Sequence, residues 1–140
     1  MKIGSVSALR VMFVLGAVVD GAIAISWFLI ASGLEIPNIL NGYVGAGPDY
    51  QLAMYVAAMF MTAWALLLAW GGIKPLERRD LLLITSALLL ISVLVEVLLY
   101  RDILVGGGFV FGVTKRVVLS TVFMAAFFYS FRSQKNSPGA

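Results

Sequence analysis

The sequence predicts an all-α integral membrane protein, an antiparallel, up-down four-helix bundle with both termini on the cytoplasmic side. Three observations lead there. Of 140 residues, 61% are hydrophobic and 12% are charged. Soluble domains carry roughly 25% charge, so this chain has too little polar surface to face water on every side. Four apolar stretches reach the ~20 residues that a spanning helix requires. The Lys and Arg residues around those stretches collect on one side of the membrane if all four cross it.

The spans run from Val11 to Ala31, Leu52 to Ile73, Leu81 to Tyr100 and Phe109 to Phe131. The first is about twice as long as a signal-peptide core and carries Asp20 at its centre, so it reads as a retained helix and not a leader. Pro75 stops the second, because its ring clashes with the preceding turn. Asp80 suits the N-cap of the third. Lys115 and Arg116 interrupt the fourth. The loop from Ser32 to Gln51 holds Gly, Pro and Asn and reads as turns. Within it, Ile36, Ile39, Leu40 and Tyr43 offer one short interfacial turn, although a plain connector fits its length. Residues 1–131 thus form one transmembrane domain, and 132–140 a disordered cytoplasmic tail.

Lys2 and Arg10 precede the first span, Lys74, Arg78 and Arg79 separate the second from the third, and Arg132 and Lys135 follow the fourth. Four crossings put all three groups on one side, which the positive-inside bias makes cytoplasmic. An odd number would split them. The opposite loops carry Glu35 and Asp49, then Arg101 beside Asp102. The expected location is the cell membrane, with the lipid bilayer as the first partner and a homo-oligomer or a larger membrane complex as the assembly.

The chain has no Cys and no His. Disulfides, thiolate metal sites and the commonest zinc and haem ligand are therefore absent. No Ser–His pair, phosphate loop or metal motif is present, so the sequence leans away from an enzyme, and no cofactor, metal or nucleic acid is expected.

Ionisable groups within spans are costly and face protein or water. By the helical rise, Asp20 lies roughly 15 Å from the inner boundary, and Glu96 about 22 Å up the third helix. Lys115 and Arg116 lie about 10 Å below the outer boundary, near the level of Glu96. Helical spacing places Asp20 on one face with Gly16, Ala17, Gly21, Ala24 and Trp27, and Glu96 in a stripe with Thr85, Leu89, Ser92 and Tyr100. On the second helix Gln51, Tyr55, Thr62, Ala65 and Ala69 align. On the fourth, Arg116 stacks with Gly112, Ser120, Phe123 and Phe127. The expected ligand-binding residues are Asp20, Tyr55, Glu96, Tyr100 and Arg116, supported by Gln51, Thr62, Ser92, Lys115 and Ser120. The competing expectation is structural, with Asp20–Arg116 and Glu96–Lys115 as ion pairs that fix helix register. Trp64 is too deep for an interfacial anchor and reads as packing. Gly106, Gly107 and Gly108 suit a hinge or an anion nest, though a plain loop is the simpler reading.

With Arg10 at the start, VVDG at Val18 to Gly21 and the inner turn KPLERRD, the layout resembles small four-helix bacterial membrane proteins of the DoxX-like kind. The resemblance implies the four-helix architecture over the whole chain and assigns no activity. The leading functional expectation is binding or transport of a small or amphipathic ligand from the outer side. The alternatives are a non-catalytic accessory subunit of a membrane complex and an enzyme acting on a lipid or isoprenoid.

Overall fold

The computed structural model describes residues 3–34, 45–100 and 107–135. It is all-helical among these residues, with α1 (Ile3–Ala31), α2 (Pro48–Ile73), α3 (Asp80–Leu99) and α4 (Gly107–Lys135). Each helix is long and apolar enough to cross a membrane. Large apolar side chains stand exposed on every helix, among them Val18, Phe60, Leu98 and Val110. Water would solvate that surface poorly and lipid solvates it well, so the chain is a multi-pass membrane protein.

The helices outrun the apolar spans because the hydrogen-bond ladder continues into polar sequence until something stops it. At the end of α1, Gly33 takes φ +89°. Gly33 N–H donates to Ile30 O at 2.9 Å and Leu34 N–H to Leu29 O at 3.1 Å, a Schellman closure that favours glycine. α2 starts at Pro48, whose fixed φ suits the first helical turn, after Gly47 at φ +90°. Asp80 is the first residue of α3, and Arg79 occupies the N-cap position without a side-chain bond. Asp80 therefore acts through its charge on the helix N-terminus, where a carboxylate is favourable, and not as the cap. α4 continues to Lys135, so residues 132–135 are helical where a disordered tail was expected. The rest of that tail, Arg101, Asp102, Gly106 and the outer-loop residues Ile36, Ile39, Leu40 and Tyr43 lie outside the described residues.

α1 packs along α2, α3 along α4, and α1 against α4, whereas α2 and α3 are not closely packed. The packed pairs are antiparallel. Arg10 Nε donates to Gly72 O at 3.4 Å near one end of the α1–α2 pair, and Phe28 meets Tyr55 edge-on at 5.8 Å near the other. Ser86 and Ser120 exchange hydroxyl-to-carbonyl bonds of 3.1 Å between α3 and α4. The apolar core of Leu9, Phe13, Leu68, Leu82, Phe123 and Ala126 draws on all four helices. It lies at the end where α1 and α3 begin and α2 and α4 finish. Gly71 is part of it, since a Cβ there would overlap the Phe13 ring.

Basic residues finish this end. Arg78 donates to Trp70 O and lies 3.3 Å over the Trp70 ring. Arg79 sits 5.1 Å from the Phe131 ring centre. The last carbonyls of α2 have no intrahelical donor, and Arg10 and Arg78 supply one.

Candidate functional site

Beyond the apolar core the four helices separate around a cavity of about 490 Å³. That volume suits a drug-sized ligand, since ligand pockets span roughly 300–1,000 Å³. α1 contributes Val19, Asp20, Ile23 and Trp27; α2 contributes Ala57, Phe60, Met61 and Trp64. α3 adds Thr85, Leu88, Leu89, Ser92 and Glu96, and α4 adds Lys115, Arg116 and Leu119. Phe60 is 74% exposed and Leu88 49%. These two wall residues reach the outer surface of the protein from α2 and α3, the helices that do not pack together. The cavity thus opens sideways between α2 and α3.

The register of the packed helices sets the level of each polar group. A Cβ on Gly16 would lie 3.0 Å from Leu68 and 3.1 Å from Phe123. One turn further along α1 comes Asp20; one turn back along α2 comes Trp64; and Arg116 lies about two turns back along α4. Asp20, Trp64, Lys115 and Arg116 therefore occupy neighbouring levels, with Ser92 bonded to Arg116 from α3.

Glu96 and Arg116 form a two-pronged pair. Arg116 Nη1 donates to Glu96 Oε1 at 2.6 Å, and Nη2 to Oε2 at 2.5 Å. Nη1 also donates to Ser92 Oγ at 3.1 Å, and Nε to Gly112 O at 3.1 Å. The two side chains are only 11% and 12% exposed. Parallel N–H···O bonds between planar groups make such pairs strong and directional. The expected Asp20–Arg116 pair is not formed. Arg116 turns to the carboxylate on the helix that packs lengthwise against its own.

Asp20 from α1 and Lys115 from α4 both line the cavity. Among the described residues no hydrogen bond or ion pair holds the Asp20 carboxylate. Trp27, Phe60 and Trp64 supply aromatic wall. Thr85 and Ser92 direct their hydroxyls to the carbonyls of Leu81, at 2.6 Å, and Leu89, at 2.8 Å.

The cavity brings together Asp20, Ser92, Glu96, Lys115 and Arg116 of the expected site. It is not lined by the others. Tyr55 is exposed and packs against Phe28. Tyr100 is exposed at the C-cap of α3. Gln51 lies beside Gly33 at the end of α1. Thr62 donates to Ala58 O at 2.8 Å. Ser120 is buried in the α3–α4 contact. The α2 wall of Ala57, Phe60, Met61 and Trp64 is the part of the site that sequence reasoning did not single out. The unusual depth of Trp64 was its one signal.

Comparison with family models, with curated proteins and with solved structures gives no match. The site's own chemistry is a mostly apolar chamber, one two-pronged ion pair, and a second carboxylate and an ammonium on the same wall.

Proposed function

We propose that this protein binds or carries a small amphipathic ligand across or within the cell membrane, with its N and C termini in the cytoplasm and the cavity in the outer half of the bilayer. The observation that supports this most is the convergence of all four helices on one cavity whose walls are apolar and aromatic and whose charges lie at neighbouring levels. Burying ionisable groups in a span is costly, and an enclosed register pin needs no chamber beside it. Kinship with the DoxX-like proteins rests on layout alone and adds nothing to the choice of ligand. The test is mass spectrometry of small molecules that co-purify in a non-ionic detergent. The wild-type protein is expected to retain a class of amphiphile that Ala57→Trp, which fills the cavity, and Asp20→Asn, which removes its charge, both release. Equal recovery from all three would contradict the proposal.

One observation favours a second, structural role for part of the site. Arg116 spends its donors on Glu96, Ser92 and Gly112, as a pin between α3 and α4 would. An accessory subunit is the reading in which every charge has such a role, and retention of no amphiphile would favour it.

A further inference from the structure

The ligand class follows from which polar groups on the cavity wall are already engaged, on the reading that the cavity is a binding site. Besides the two indoles, the polar side chains there are Asp20, Thr85, Ser92, Glu96, Lys115 and Arg116. Two are carboxylates and two are cations, so the formal charges of the wall already sum to zero. An ionic head would bring into the span a charge without a counterpart, which is costly. A neutral head brings none.

Hydrogen bonding narrows the head further. Thr85 and Ser92 donate within their own helix, to Leu81 O and Leu89 O. Arg116 donates to Glu96, Ser92 and Gly112, and so occupies both Glu96 oxygens. The Asp20 carboxylate differs, since no hydrogen bond or ion pair holds it among the described residues. A carboxylate only accepts, so the group that suits it is a donor. An amide would also bring a carbonyl, which needs a donor from a wall where Thr85, Ser92 and Arg116 direct theirs elsewhere. A hydroxyl makes one charge-assisted bond to Asp20 and leaves no donor buried unpaired. The rest of the wall is apolar and aromatic, and its Phe60 and Leu88 are also exposed, so the chamber is continuous with the lipid-facing surface. A molecule dissolved in the bilayer meets the same kind of surface inside and outside. We infer that the cavity takes a neutral lipid alcohol, its hydroxyl donating to Asp20 and its apolar chain lying along Phe60 and Trp64.

The tryptophans provide the readout. Trp27 and Trp64 line the cavity, and Trp70 lies at the far end of α2 under Arg78. Trp70→Phe protein in a non-ionic detergent is titrated with four amphiphiles sharing one brominated alkyl tail, which quenches nearby indoles. Their heads are a primary alcohol, its methyl ether, a primary ammonium and a carboxylate. A short water-soluble alcohol is the competitor that separates a soluble ligand from a lipid. The lipid alcohol is expected to quench saturably and bind about tenfold more tightly than the other three, a difference of about one decade in Kd, with little competition from the short alcohol. Asp20→Leu is expected to bring the alcohol to the affinity of the ether and to leave the ether unchanged. Equal affinity of alcohol and ether in the wild-type background would overturn the hydroxyl assignment while leaving an amphiphile site in place. Tightest binding of the ammonium or the carboxylate would overturn the neutral head. Effective competition by the short alcohol would replace the lipid by a soluble ligand. Absence of saturable quenching by any of the four, with helicity by circular dichroism intact, would remove the binding reading itself. Should Asp20→Leu fail to fold, the comparison of alcohol with ether still decides.

Discussion

At the scale of single residues, Glu96 and Arg116 carry the largest energetic stake. Both are nearly buried, and each satisfies the other through paired N–H···O bonds. Removing one partner strands a charge away from water and costs about 3–5 kcal/mol, whereas replacing both groups by neutral ones is far cheaper. Glu96→Gln and Arg116→Gln are each expected to lower the detergent melting temperature strongly, and the double variant to recover most of the loss. Strictly additive losses would mean that the two groups are not coupled. Asp20 is expected to behave differently. It is held by no bond among the described residues, so Asp20→Asn should change ligand retention more than melting. Both carboxylates line the chamber, and Glu96 alone of the two also ties α3 to α4 through Arg116.

At the scale of helices, glycines show where close approach matters. Gly71 sits where a side chain would overlap the Phe13 ring in the apolar core, and Gly21 has open space around it. Overpacking a core costs about 1–3 kcal/mol, while alanine in place of an unconstrained helical glycine gains about 0.5–1 kcal/mol. Gly71→Ala is expected to destabilise and Gly21→Ala to be neutral or mildly stabilising, read by urea- or heat-induced loss of helicity. Equal effects would place the α1–α2 contact elsewhere. The same scale shows what the sequence could disclose. On α1, α3 and α4 a polar or small residue marks the inward face, and Ala24, Glu96, Gly112 and Phe123 are buried on those faces. On α2 the marks were Tyr55, Thr62 and Gln51, and none of them lines the cavity. The reason is physical: in lipid the outer face is as apolar as the inner one, so hydrophobicity does not orient a helix. Tyrosine and threonine are then ambiguous, since Tyr55 finds Phe28 at the surface and Thr62 bonds its own backbone. The shared level of Glu96 and Arg116 was legible from counting residues, because the rise per residue is fixed. The choice of Glu96 over Asp20 as the partner of Arg116 was not, because it depends on which helices pack lengthwise.

At the scale of the whole molecule, the four helices meet in one apolar core and border one cavity beyond it. Leu9, Phe13, Leu68, Leu82, Phe123 and Ala126 join the four helices in an apolar core. Basic side chains finish the α2 terminus beside it. α2 and α3 are not closely packed, and all four helices line the charged chamber. The most direct test is a structure determined in a lipid bilayer. It is expected to show non-protein density inside the cavity, beside Asp20 and Trp64. A dry interior with α2 packed along α3 and no space beside Trp64 would contradict it.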